Sequence, residues 1–208
     1  MRKFSNTYIF LYVSALVLLI CVVLASVSIG LKSKRDANVT CEKYQQILKA
    51  AGYKDVAKKN TVSFFQEIAK PDKGDQTSEQ YRIRCADGNP GIVLHVQGKG
   101  LWGPIWGYVV LSEDGSTIKG VAFAHKSETP GLGAKITDDD FANAFIGKKL
   151  YDQNGVFTSV RVVKKGQEGD IREENRVDAI SGATITSRGV DNMMKELKMG
   201  NVEREMGN

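Results

Sequence analysis

The first 35 residues carry one long apolar run between two basic flanks. No charged residue stands between Lys3 and Lys32, and the stretch Tyr8–Leu31 is 24 residues long. As a helix it measures about 36 Å at ~1.5 Å per residue, more than the roughly 30 Å of bilayer hydrocarbon, so it spans with some tilt. In lipid a helix is the local structure that satisfies its own backbone groups. The pattern therefore predicts a transmembrane helix over 8–31, preceded by a short N-terminal segment at 1–7. A cleaved leader has an apolar region of about 7–15 residues with small residues at the cut. Here LASVS (Leu24–Ser28) is a poor cleavage site, and LLIC (Leu18–Cys21) lacks the small residues that precede a lipidated cysteine.

Beyond the anchor the pattern changes several times. KSKRDANVT (Lys32–Thr40) reads as a polar linker, and Ile47, Leu48 and Ala51 give Cys41–Tyr53 a weak helical period. A second short helix is predicted from Asn60–Thr61 through Phe64, Phe65 and Ile68, and Pro71–Gln80 is a loop by composition. Strand patterns follow at Tyr81–Cys85 and Gly91–Val96. Two more, Ile105–Leu111 and Ile118–Ala124, flank SEDGST and read as an antiparallel hairpin turning at Asp114–Gly115. Phe141–Phe145 suggests a short helix behind Asp138–Asp140, acids that suit its N-terminus. Val156–Val163 reads as a strand, and Ser187–Met199 as a terminal helix with Val190, Met193, Met194 and Leu197 on one face. Strands without regular intervening helices argue against a doubly wound parallel sheet. The expected fold is α+β: one domain over 41–208, an antiparallel sheet with flanking helices, on a single transmembrane helix.

Charge narrows the function classes. The net charge is +5, but residues 1–35 hold Arg2, Lys3, Lys32, Lys34 and Arg35 and no acid. Removing those five from the 29 bases leaves 24 against 24 acids. The basicity belongs to the membrane flanks, so no nucleic-acid surface is implied. Two bases and the amino terminus precede the span and three bases follow it, so charge leaves its orientation open. Cys21 lies in the span, while Cys41 and Cys85 are far apart with no CxxC. Zinc and iron–sulfur binding are unsupported, and a Cys41–Cys85 disulfide stays open.

Three stretches carry candidate chemistry. Gly98, Gly100 and Gly103 spell GxGxxG, but Pro104 and a β-rich run follow where a dinucleotide site needs a helix; the glycines read instead as permitting tight turns and close backbone approach. Trp102 and Trp106 beside them suit core or membrane-surface packing better than the walling of a planar aromatic ligand. ETPGLG (Glu128–Gly133) is a sharply turned loop, and His125 with Glu128 is too few ligands for a metal. The third stretch is DAISGATITS (Asp178–Ser187), in which Ser181, Thr184, Thr186 and Ser187 crowd a helix start. One hydroxyl suffices for a cap, and Gly182 and Ala183 leave room beside the others. Helix N-termini attract phosphate, so a threonine here can carry one as an ester. Its hydroxyl is a poor nucleophile unaided, so a separate activating enzyme is required.

DAISGAT (Asp178–Thr184), extended by Ile185–Ser187, together with ETPGLG upstream and the single anchor, resembles the FMN-binding domain family. The resemblance covers nearly the whole chain. It implies FMN held as a phosphoester on Thr184, and Asp178 as the acid read by a flavin transferase. Ser181, Gly182, Ala183, Thr186 and Ser187 are then expected around the phosphate. Glu128, Thr129, Gly131, Leu132 and Gly133 are expected beside the flavin, Leu132 against the isoalloxazine, with Trp102 and Trp106 as further neighbours. No catalytic or metal-binding residue is implied. GKGLWGPIWGYVVL (Gly98–Leu111) resembles the members that serve sodium-translocating NADH:quinone reductases, while members in Rnf complexes share the anchor, loop and motif. The implied role is an electron-transfer subunit of a respiratory complex. Its partners are the other subunits of that complex, and its flavin domain lies on the outer, periplasmic face of a bacterial inner membrane. A membrane-tethered domain without redox chemistry is the reading from a different class.

Overall fold

The computed structural model describes residues 5–53, 56–71 and 80–197. Most of the expected Pro71–Gln80 loop, the start of the N-terminal segment and the last two positions of the expected terminal helix lie outside them. The chain divides into two units, with the boundary between Glu42 and Lys43.

The first unit is one helix. α1 runs from Asn6 to Ala50, crossing into the second unit, and its apolar stretch is uncovered and long enough to cross a membrane. The expected linker Lys32–Thr40 is helical throughout. No Gly or Pro stands between Gly30 and Gly52 to stop the helix earlier, and Lys, Arg and Ala favour it. Two hydroxyls fold back onto the helix: Ser26 donates to the Val22 carbonyl at 2.8 Å and Thr40 to that of Asp36 at 3.0 Å.

The second unit is built on a five-stranded antiparallel sheet whose order is chain order: β1 (Ala69–Pro71), β2 (Tyr81–Arg84), β3 (Pro90–Lys99), β4 (Pro104–Ser112) and β5 (Ile118–His125). Side chains alternate across it and make two cores. On one face Val93, Tyr108, Val110 and Ala122 meet Ile47, Leu48 and Ala50 from the end of α1, and Phe65 from α2 (Thr61–Ile68). On the other, Leu94, Val96, Ile105 and Phe123 meet two later helices. These are α3 (Asp139–Asn143), contributing Phe141, and α4 (Thr184–Leu197), contributing Val190, Met193, Met194 and Leu197. β2 to β5, the hairpin and the helices at Thr61 and Asp139 agree with the apolar pattern, which did not mark β1.

Three later elements differ from it. Only Arg161–Val163 of the expected Val156–Val163 strand is extended; this is β6. Ser159, at φ 61°, turns the chain just before, and its hydroxyl donates to the Met194 carbonyl of α4 at 2.6 Å. β6 pairs in parallel with β7 (Arg176–Asp178), which the pattern did not mark. α4 also begins at Thr184, three residues before the expected Ser187.

α4 approaches the sheet where two glycines face it. A Cβ on Gly98 in β3 would stand 2.5 Å from Met193 Cγ, and one on Gly189 in α4 would stand 2.4 Å from the Lys99 carbonyl oxygen. The GxGxxG spelling therefore serves helix-on-strand packing at Gly98. Gly100 donates its N–H to the Gly103 carbonyl in the β3–β4 turn, and no helix follows.

Candidate functional site

The segment that carries the resemblance is held at both ends. Upstream, β7 continues beside β6 as the Ala179 N–H donates to the Val163 carbonyl at 2.7 Å. Downstream, α4 is fixed to β6 through Asp191, a buried carboxylate that accepts the Val162 N–H at 2.9 Å and pairs with Arg161 and Lys195. Burial pushes the Asp191 carboxyl up, but the bonds from Arg161, Lys195 and Val162 outweigh it and leave the pKa lowered.

Between these ends the chain makes one tight turn. Ala183 donates its N–H to the Ile180 carbonyl at 3.1 Å, and Gly182 lies at φ 78°. A positive φ at the third position of such a turn is the type II arrangement, which favours glycine. The helix then starts with Ser187 N–H donating to the Ala183 carbonyl at 2.9 Å. Alanine therefore stands at the N-cap, and it has no side-chain oxygen to bond the first-turn amides. Those N–H groups have no intrahelical acceptor and aim a partial positive charge outward.

The four hydroxyls part into two pairs. Ser187 is buried and its Oγ accepts the Ile180 N–H at 3.1 Å. Thr186 is buried and donates to Glu128 Oε2 at 2.6 Å. Both hydroxyls are thus engaged inside the fold. Ser181 and Thr184 reach solvent, and of these only Thr184 lies in the first turn of α4.

Thr184, Ser181 and Gly182 open onto a cleft of about 620 Å³, also lined by Lys164, Lys165, Arg188, Asp178 and Asp191. Among the described residues Lys164, Lys165 and Arg188 form no ion pair. Three cations, two carboxylates and a helix start share this cleft, and the cations with the helix start make a setting for an anion. Asp178 is exposed at the end of β7 and lines a second cleft as well, of about 600 Å³.

The ETPGLG loop meets the same turn from the other side. Thr129 accepts the N–H groups of Leu132 and Ala134, both at 3.1 Å, and Gly131 takes φ 77°. Leu132 is 44% exposed, and its Cδ2 would stand 3.0 Å from a Cβ on Gly182. Glu128 is buried: Oε1 accepts the Trp102 N–H at 2.8 Å while Oε2 accepts from Thr186. Burial raises its carboxyl, but the Thr186 hydroxyl, the Trp102 N–H, nearby His125 and the Leu101 N–H together hold the pKa lowered. The Glu128 carboxylate is thus turned inward, toward Trp102 and Thr186. His125 Nδ1 accepts the Glu128 backbone N–H at 3.2 Å, so the pair does not converge as ligands.

The tryptophans part company. Trp102 is 66% exposed in the β3–β4 turn, on the side of the Glu128 contact. Trp106 packs against the core on the sheet face opposite α4. Alternation along β4 puts it there, next to Tyr108 and Val110, so it is not a neighbour of Thr184. No disulfide joins the cysteines among the described residues, and Cys85 is buried.

This geometry has counterparts. The FMN-binding domain family matches residues 100–198. The C subunit of a Na(+)-translocating NADH-quinone reductase from Haemophilus ducreyi is 30% identical, over 94% of this chain and 91% of that one. The Vibrio vulnificus protein of the same name is 28% identical over 83% of each chain. A crystal structure of the C subunit from Parabacteroides distasonis superposes with TM-score 0.70 at 35% identity, covering 79% of this chain and 91% of that one. The chain belongs to the family of C subunits of Na(+)-translocating NADH-quinone reductases.

Proposed function

We propose that this chain is a membrane-anchored electron-transfer subunit that carries FMN as a phosphoester on Thr184, within a sodium-translocating NADH:quinone reductase. The carrying observation is the state of one oxygen. Thr184 is the exposed hydroxyl in the first turn of a helix without a side-chain cap, beside a cleft lined by Lys164, Lys165 and Arg188. A cleft of about 620 Å³ lies in the range of small-molecule and cofactor sites.

Bound there, FMN supplies one-electron chemistry. The chain's own residues do the rest. The free N–H groups at the start of α4 and the three cations face the phosphate, and Leu132 offers an apolar edge beside the turn. Attachment would form a bond from Thr184 Oγ to the flavin phosphorus and break the phosphoanhydride of an activated flavin donor, whose other phosphate would leave. The Thr184 proton passes to a base of the transferase, for which Asp178 is the exposed recognition point. α1 holds the subunit in the membrane over 8–31, with residues 41–208 on the periplasmic side. The names of the relatives favour this complex over Rnf assemblies.

Intact mass and in-gel fluorescence of protein from its own host test the reading. The native chain carries one covalent FMN increment that maps to Thr184, and T184A inserts and folds without it. Fluorescence persisting in T184A on a denaturing gel would contradict the assignment.

A further inference from the structure

Glu128 is a buried titratable group that flavin attachment does not use. It is 4% exposed, yet its two oxygens reach different parts of the fold. Oε1 accepts the Trp102 N–H of the β3–β4 turn at 2.8 Å, and Oε2 accepts the hydroxyl of Thr186, two residues past Thr184, at 2.6 Å. Its own N–H donates to His125 Nδ1, where β5 ends. The space for the carboxylate is made by two glycines. A Cβ on Gly100 would lie 2.5 Å from Oε1, and one on Gly133 would lie 2.3 Å from Oε2 and 2.7 Å from Thr186 Oγ1. Only hydrogen at both positions lets the group sit there.

Resting on the flavin reading above, we propose that Glu128 is a positioning residue: its carboxylate ties the β3–β4 turn and the ETPGLG loop to the first turn of α4, and so fixes the surface on which a flavin tethered at Thr184 lies. Three features next to these tie points face outward. Leu132 sits against Gly182, Trp102 follows the Gly100 turn, and Ile185 follows Thr184; they are 44%, 66% and 53% exposed. They belong to separate segments, two loops and the start of α4, and the Glu128 contacts tie those segments together. Losing a hydrogen bond to a charged group frees the joined segments to separate by about tenfold or more in population. The tie depends on reach as well as on charge. Glutamine has the same length, accepting from Trp102 through its oxygen and donating to Thr186 through its amide. Aspartate keeps the charge but cannot span both partners.

The test uses full-length flavin-loaded protein and reads fluorescence anisotropy, iodide quenching and the flavin midpoint potential at temperatures well below melting. E128A and E128D are expected to keep flavin on Thr184 while its freely rotating, quencher-accessible fraction rises about tenfold and the potential moves toward that of free FMN. E128Q is expected to match wild type, a rescue that loss of fold stability alone does not produce. Wild-type anisotropy and quenching in E128D would overturn the proposal, as would E128Q behaving like E128D. Should E128A fail to fold, the comparison of E128D with E128Q decides. Wild-type protein bearing no flavin, or T184A retaining it, would overturn the flavin reading itself, a result distinct from unchanged Glu128 variants on a loaded chain.

Discussion

Asp191 and Val162 are joined across the seam between α4 and β6: the carboxylate accepts the Val162 N–H at 2.9 Å while Arg161 and Lys195 neutralise it. D191N keeps an acceptor but removes the charge that both cations face. It is expected to lower stability by about 1.5–3 kcal/mol, the range for hydrogen bonds to a charged group, seen as an earlier urea midpoint. The pH dependence has a definite sign. A carboxyl whose pKa is lowered on folding stabilises the fold above its unfolded value, near 3.8, and that contribution is lost as pH falls through the folded value. Wild type and D191N are therefore expected to differ at pH 7 and to converge in acid below pH 3.8. A constant difference down to pH 2 would show that the charge contributes nothing.

The two glycines between α4 and β3 are not equivalent. An alanine Cβ at Gly189 meets the backbone oxygen of Lys99, which cannot move without the strand, whereas one at Gly98 meets the flexible Met193 side chain. G189A is expected to cost about 1–3 kcal/mol, the range for overpacking, and G98A the low end of that range. Thermal melts with the order reversed would mean that α4 slides on β3 more easily than Met193 repacks.

Leu132 and Trp106 separate the two faces of the sheet. L132A removes a half-exposed leucine beside Gly182, roughly 1 kcal/mol of contact from half the value of a buried side chain, and is expected to change the visible flavin spectrum and lower its anisotropy. W106F, on the face opposite α4, is expected to leave both unchanged. A spectral change in W106F with none in L132A would place the flavin on the wrong side.

Lys164, Lys165 and Arg188 line the cleft beside Thr184. Reversing two of these charges, in K165E with R188E, is expected to lower the flavin midpoint potential, since negative charge disfavours added electrons. Each reversal acts by about 1 kcal/mol or less in water. The difference from wild type shrinks toward 1 M salt, where the screening length is about 3 Å. A shift insensitive to salt would point to rearrangement of the cleft instead.

Alternation and turn chemistry carried most of the fold. The hairpin at Asp114–Gly115 and the helical face of Val190, Met193, Met194 and Leu197 depend on local periods that any neighbour preserves. β7 escaped notice because three residues are too few for a period, and β6 fills only the end of the expected Val156–Val163 strand because Ser159 turns the chain before it; their pairing is long-range. Lys32–Thr40 misled because polarity resembles a linker, while the backbone responds to the absence of Gly and Pro. At the site, the hydroxyl cluster and the acceptor oxygen were legible as residue types. Which hydroxyls turn inward was not, since that depends on Glu128, 58 positions from Thr186 in the chain. A clue existed in the spacing of small residues: Gly100 and Gly133 both make way for one carboxylate, although only the folded chain brings them to it.

Five strands hydrogen-bonded in the order in which they occur need only short loops closed between neighbours, and such contacts form quickly. α4 must instead find β3 from nearly half the chain away, with β6 and β7 in between. Assembly is thereby staged: a meander gathers early, and the cation-lined hollow closes around it afterwards. A refolding experiment should see tyrosine and tryptophan signals from the β4 core settle before a probe at Arg188 does.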